Sequence, residues 1–439
     1  MSHPFLDGRT AAEIAASAER AIRDGRLADG ARLPAVRDLA EAIGVNRNTV
    51  AAAYARLREA GLVTGAGRQG SIVAARTRVD AYRPPIPARA RDLASGNMDP
   101  RLLPDLAPHL ASLALPPGAY EMADDDPGLV AHARELLRGD GVAAGEIAVV
   151  SGAMDGIERA LRVHLRPGDA VAVEDPGYVS ALLLIRSMGL RPVPVPLDGD
   201  GIDPRLLDGA LRDGARAVVL TPRAHNPTGA RLTADRAGAL REVLDRHPAA
   251  LLVEDDHAGP VSGAAFATAA PADPDARPWV LVRSVSKFLG PDLRVAVVAG
   301  DGTTLSRLRN HQALGPRWVS HLLQRLTARV WSDPATAALV ERAAASYAER
   351  RALLVGALAA RGIAAAGASG LHVWVPVARE AEAVQGMLAR GWAMQAGEVF
   401  RMRSPPGVRI GVAGLSPGEE EDVAAALAQT LRPARGIYA

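Results

Sequence analysis

The chain has 439 residues, 48% of them hydrophobic, and a formal net charge of only +2, which is room for two or three domains with sizeable cores. It contains no cysteine, which rules out disulfides, thiol catalysis and cysteine-ligated metal, and its small net charge rules out a global field for nucleic acid, so any basic surface must be local. No run reaches the ~18 apolar residues of a membrane span and the opening MSHPFLDGRTAAEIAA is too polar and acidic for a signal peptide, so no membrane association and a cytoplasmic location are expected. Of the 51 lysines and arginines, only Lys287 is a lysine. Arginine replaces lysine on a solvated surface at little cost, but its guanidinium cannot form a Schiff base as an amine can. The one retained lysine therefore points to chemistry.

In chain order, Thr10 and Glu13 form a capping box, and Ile14, Ala18, Ala21 and Ile22 fall on one helical face until Gly25. A second helix follows Pro34, with Val36, Leu39, Ala40 and Ile43 inward, and stops at Gly44. Asn46 can cap a third, whose apolar positions Val50, Ala53, Tyr54 and Leu57 run to Gly61. Two short helices joined by a tight glycine turn make a helix-turn-helix candidate. Leu62 to Val73, alternating around Gly65, Gly67 and Gly70, predicts a two-stranded wing. Residues 1–76 thus form one domain, and residues 77–90, TRVDAYRPPIPARA, read as an extended linker.

From residue 91 to 439 strands alternate with helices. Strands are predicted at Ile147 to Val150, Ala170 to Val173, Pro192 to Val195, Ala217 to Leu220, Leu251 to Val253, Val280 to Val282 and Val295 to Val298, a mainly parallel seven-stranded α/β sheet. After about Trp331 a long helix and strands near His372 to Val377 and Val408 to Val412 predict a small C-terminal α+β subdomain.

Asn46, Arg47, Asn48 and Thr49 occupy the first turn of the third helix, where short polar side chains and free backbone N–H groups can meet base edges and phosphates. Arginine suits a bidentate contact to guanine and asparagine one to adenine. The order of turn, cap and wing resembles the GntR family of winged helix-turn-helix regulators. The resemblance implies that Arg37 and Arg47 contact a double-stranded operator and that the wing from Gly65 through Gly67 to Gly70 enters the minor groove.

Lys287 lies in Ser284-Val-Ser-Lys-Phe-Leu-Gly-Pro-Asp-Leu-Arg294 directly after a strand, where Ser284, Ser286 and Arg294 could hold a phosphate beside the amine. Ser151-Gly152-Ala153-Met154 is a second anion-binding turn at a helix start. Taken singly, these pieces have ordinary readings: Asn-Pro-Thr-Gly after His225 makes a turn, and Tyr178 fits a core. Asp255, Asp256 and His257 suggest a metal, but strand alternation turns Asp256 away from the other two and leaves too few ligands, so no metal is expected.

The order of phosphate turn, aromatic, Asn-Pro-Thr-Gly, aspartate, lysine and arginine resembles fold-type-I, class I/II aminotransferases that use pyridoxal 5'-phosphate. That resemblance implies that Lys287 carries the cofactor as a Schiff base, that Asp255 pairs with its ring nitrogen, and that Tyr178 stacks on the ring. It further implies that Asn226 bonds the ring hydroxyl, that Arg294 and Ser284 hold the phosphate, and that Arg409 clamps a carboxylate. His257 stands where many relatives have a tyrosine. A GntR-type head on such a domain resembles the MocR subfamily, which implies a head-to-tail homodimer, Tyr120 reaching the partner's site, and a switch driven by an amino-acid or amine effector. Two alternatives stay open: a working aminotransferase that carries a DNA-binding head, and a regulator answering to the cofactor alone.

Overall fold

The computed structural model describes residues 5–28, 30–59, 62–64, 70–73, 86–114, 120 and 123–432. It divides into two compact units, one centred on the N-terminal helices and the other on a large sheet.

In the first unit, α1 (Ala11–Arg23), α2 (Val36–Ile43) and α3 (Arg47–Glu59) pack around Ile14, Ala18, Leu39, Val50, Ala53, Tyr54 and Leu57. The capping box forms: Thr10 Oγ1 accepts from the Glu13 backbone at 3.2 Å and Glu13 accepts from the Thr10 backbone at 3.3 Å. Gly44 ends α2 in the left-handed region at φ 70°, a conformation only glycine adopts without strain. The Tyr54 hydroxyl donates to the Pro34 carbonyl at 2.9 Å, tying α3 to the entrance of α2. The base of the wing is an antiparallel pair, β1 (Val63–Thr64) and β2 (Ile72–Val73), which Arg32 extends through a bridge to Ile72. Gly61, Gly65 and Gly67 of the expected turn and wing, and positions 77–85 of the expected linker, lie outside the described residues.

The second unit begins with β3 (Arg91–Asp92). Its main sheet contains β4 (Glu146–Val150), β5 (Ala170–Asp175), β6 (Arg191–Asp198), β7 (Gly201–Ile202), β8 (Ala215–Leu220), β9 (Leu251–Asp256), β10 (Trp279–Ser284) and β11 (Ala296–Gly300), in the order β4-β11-β10-β9-β8-β5-β6-β7. All seven predicted strands form. The eighth, β7, is a two-residue strand paired antiparallel to β6, too short to leave a pattern. The centre, β5, β8, β9 and β10, is parallel, and β11 is antiparallel to both its neighbours. Strands β5, β9 and β10 are buried along their whole length, as strands covered on both faces must be.

The smaller subdomain packs helix Pro334–Ala359 and helix Glu419–Leu431 on a sheet of β12 (His372–Pro376), β15 (Gly407–Gly411) and β14 (Gln395–Ala396). It is not built from the C-terminal residues alone. β3 pairs in parallel with β13 (Trp392–Ala393) and Leu93 enters this core, a contact across some three hundred positions that no local pattern reveals. No helix among the described residues is long and apolar enough to cross a membrane.

Candidate functional site

The parallel strands β5, β8, β9 and β10 deliver their polar residues at one edge, the carboxyl edge, where open α/β sheets bind ligands. β9 ends with Glu254, Asp255 and Asp256, all buried. Asp256 points to the far side, where Arg223 donates to it at 2.8 and 2.9 Å and Arg283 at 2.7 Å; both guanidiniums also lie over the Phe266 ring. Burial raises the Asp256 carboxyl, but Arg283 and Arg223 together hold it well below the usual carboxylate range. Asp255 faces the crevice. Its Oδ1 is buried with no partner among the described residues, and burial, with Asp256 and Glu174 nearby, pushes its carboxyl up to about 7. Such a group awaits a cation or a donor.

The turn after β10 carries the lysine. Lys287 Nζ donates to the Gly96 carbonyl at 3.1 Å. Ser284 Oγ accepts from the Ser286 backbone at 3.2 Å, and the two hydroxyls are 3.1 Å apart. Arg294 follows in the left-handed region at φ 50°, and its guanidinium lies against Gly152, where an added Cβ would come within 2.8 Å of it. Gly152, with φ 91°, precedes helix Ala153–His164, whose first turn has no side-chain cap. The N–H groups of Ala153 and Met154 and the Arg294 guanidinium thus make a cationic, donor-rich cradle. Ser151 donates its backbone N–H to Asp155 at 2.9 Å.

Opposite, the small subdomain presents Arg409 on β15. Its Nη1 donates to Asn226 Oδ1 at 2.9 Å, its Nη2 to the Ala94 carbonyl, and its Nε is buried without a partner among the described residues. The Tyr178 and His257 rings stand nearly parallel, 19° apart with centroids separated by 6.4 Å. His257 Nδ1 lies 3.8 Å from Asp255 Oδ2. Burial, reinforced by Lys287, pushes the His257 imidazole down to about 4, so it is neutral at physiological pH.

Three contributors escaped the sequence. His225 Nδ1 lies 2.7 Å from the Thr228 hydroxyl, and its Nε2 lies 3.3 Å from Glu174. Glu174 also accepts from Thr221 at 2.9 and 3.1 Å, bracing the loop that holds Asn226. Gly96, at φ 65°, and His372, buried on β12, also border the crevice. Only the long-range pairing of β12 with β15 places His372 there. Tyr120 is not in this crevice; it is 74% exposed and packs edge-on against Trp318, with Arg317 over both rings. No group of metal-binding side chains occurs among the described residues.

In the first unit Asn46 Oδ1 accepts from the Asn48 backbone at 2.8 Å, so that oxygen caps α3. Asn46, Arg47 and Asn48 are exposed, Thr49 is half-buried, and exposed Arg37 pairs with its neighbour Asp38 at 3.3 Å. Gly70 keeps a left-handed φ of 74° beside β2.

Residues 10–73 match the gntR family of bacterial regulatory proteins, and residues 137–427 match the aminotransferase class I and II family. The chain is 42% identical over 434 residues, 97% of its length and 100% of the relative's, to the vitamin B6 salvage pathway transcriptional repressor PtsJ of Salmonella typhimurium. It belongs to the MocR-type regulators. The probable rhizopine catabolism regulatory protein MocR of Rhizobium meliloti is 26% identical, over 76% of this chain and 74% of its own. The fold matches the α-aminoadipate aminotransferase LysN of Thermus thermophilus with a TM-score of 0.68 at 22% identity, covering 78% of this chain and 92% of that one. As a MocR-type regulator the chain joins a DNA-binding head to a domain that takes pyridoxal phosphate. The orphaned Asp255 oxygen, the cradle that a Cβ on Gly152 would fill and the amine of Lys287 suit that cofactor's ring nitrogen, phosphate and aldehyde.

Proposed function

We propose that this regulator represses vitamin B6 salvage and senses pyridoxal phosphate, alone or together with an amino compound. Its likeness to a B6 salvage repressor along almost its whole length supports the repressor part. The observation that carries the sensing part is the convergence of Asp255, Lys287 and the Gly152–Arg294 cradle on one crevice.

When bound, the cofactor supplies an aldehyde for a primary amine and a protonated ring that withdraws electrons. In this reading Asp255 holds the ring proton, Arg294, Ser284, Ser286 and the turn Ser151–Met154 hold the phosphate, and Asn226 and His257 border the ring hydroxyl. Tyr178 covers the ring, and Arg409 takes a carboxylate.

The coupling to DNA runs through residues 91–97. Lys287 and Arg409 both donate to this segment, at Gly96 and Ala94. Asp92 tightens it by accepting from the backbones of Ala94 and Ser95 at 2.9 Å each, and Arg91 anchors it to Glu419 at 2.7 Å. The segment follows directly on the linker of residues 77–90 that leads from the DNA-binding domain of residues 1–76. Whatever occupies Lys287 and Arg409 therefore acts on the anchor of the linker. A head-to-tail homodimer, with Tyr120 reaching the partner's crevice, would carry two heads on paired half-sites, contacted by Arg37, Arg47, Asn48 and Thr49. The exposed Tyr120 and Arg317, packed on half-buried Trp318, support such an interface.

The test is operator binding by the apoprotein, by the cofactor-loaded protein and by the loaded protein with amino acids. Affinity indifferent to all three would reject the sensor. A working aminotransferase is the second reading, favoured because Lys287, Asp255, Asn226 and Arg409 share one crevice; sustained keto-acid production would establish it.

A further inference from the structure

His372 opens β12 opposite Gly411, and Arg409 on β15 lies opposite Trp374. Because side chains alternate along a strand, the imidazole and the guanidinium share one face of the small sheet. His372 is 4% exposed, and its Nδ1 is buried with no partner among the described residues. A Cβ on Gly96 would stand 2.7 Å from its Cε1 and 3.5 Å from an Arg409 Nη atom. Gly96 is also the residue whose carbonyl receives Lys287. Imidazole, guanidinium and ammonium thus gather around one turn of backbone.

We propose that His372 is a specificity-determining residue which, with Arg409, reads the carboxylate of the effector, so that the effector is an α-amino carboxylate and not a bare amine. The inference rests on the sensor reading only for the existence of an effector. Arg409 already uses Nη1 on Asn226 and Nη2 on Ala94, leaving Nε without a partner. A carboxylate has two oxygens and about four lone-pair positions, so it can take the unpartnered Arg409 Nε–H and still accept a further donor. His372 supplies that donor where the chain offers its Nδ1 nothing else. Its surroundings keep the ring neutral: burial first, then Arg409 on β15, Lys287 after β10, His257 after β9 and His225 in the loop after β8. A bare amine would add a cation to this cluster with no anion to offset it. An amino acid brings its own counter-charge. The orphaned groups then become paired, and a pocket built around hydrogen-bonding groups rejects ligands that lack the complement.

The experiment uses the full-length, cofactor-loaded protein and its visible spectrum. L-Alanine, L-leucine and L-phenylalanine are each titrated against the amine left when the carboxylate is removed: ethylamine, 3-methylbutylamine and phenethylamine. At least one acid is expected to bind roughly tenfold or more tightly than its amine. His372→Phe should cut that ratio about fivefold or more while leaving affinity for the cofactor and the amine within about twofold, and His372→Asn should restore part of it by returning a side-chain donor. Thermal melts and cofactor affinity separate this effect from misfolding, and if His372→Phe does not fold the ratio is read from His372→Asn and His372→Ala. Ratios near one for every pair in the wild type, or an undiminished ratio in all folded variants, overturn the inference. Either result leaves cofactor-dependent operator binding, and so the sensor reading, to stand or fall on its own measurement.

Discussion

The only lysine of the chain donates its Nζ proton to the carbonyl of Gly96, 191 positions upstream, at 3.1 Å. The sheet sets one end of this bond and the segment after the proposed linker sets the other, so the amine that we propose takes the cofactor also holds the backbone that follows the linker.

Lys287→Ala is therefore expected to abolish the visible absorbance of the loaded protein and to uncouple operator affinity from the cofactor. Since the N-terminal amine is the sole remaining primary amine, borohydride reduction followed by peptide mapping gives an unambiguous answer. A reduced adduct on any peptide lacking position 287 refutes the assignment.

Gly152→Ala tests the cradle. The new Cβ would meet the Arg294 guanidinium at 2.8 Å at a backbone φ of 91°, so both sterics and conformation oppose it. Pyridoxal phosphate affinity should fall by roughly tenfold or more, while pyridoxal, which lacks the phosphate, loses little. Equal losses for the two ligands would mean that the phosphate lies elsewhere.

The carboxyl of Asp255, raised to about 7 in the folded apoprotein, makes a pH-dependent contribution to stability. Its folded value is above its unfolded one, so its contribution is present in full below the unfolded value and is lost as pH rises through about 7. Buried His257, lowered to about 4, and His372 act in the opposite sense at acid pH, so the measurement must be a difference. The melting temperature of wild-type apoprotein minus that of Asp255→Asn should fall between pH 5 and pH 8. A flat difference counts against the burial of an uncompensated carboxyl; a flat difference only after cofactor loading is the expected effect of a ring cation paired to Asp255.

On the DNA side, Arg47→Ala should cost about 1 to 3 kcal/mol and relax preference at one base pair if Arg47 reads guanine, or weaken all sequences alike if it touches phosphate. Asn46→Ala should act differently: its side-chain oxygen caps α3, so its loss shows first as about 1 kcal/mol of head stability. No change in affinity for a specific operator in Arg47→Ala would move the recognition surface away from α3.

How much of this was legible in the sequence followed the range of the interactions. Capping of α1, the glycine stop of α2 and the seven strands rest on neighbours within a few positions, and each formed where the pattern placed it. Asp255, Lys287 and Arg409 were legible because motifs carry them. His225 was passed over inside such a motif, since nothing local says that its Nε2 meets Glu174 on another strand. Gly96 and His372 depend on β3 pairing with β13, across some three hundred positions, and on β12 pairing with β15 across an intervening helix and two short strands. Sequence spacing carries no record of such pairings. The Asp256 network with Arg223 and Arg283 was half legible: alternation along β9 turned Asp256 away, but its two partners come from other elements.

Having one lysine also makes the chain unusual as a laboratory object. Acylating reagents that decorate most proteins at dozens of amines have one side-chain target here, half-buried beside the carbonyl of Gly96. Amine-specific cross-linkers therefore have two positions to act on, this side chain and the N-terminal amine. A fluorophore coupled through the same chemistry under conditions that spare the N-terminus lands on the side chain that borders the crevice, at the position where we propose the cofactor is held.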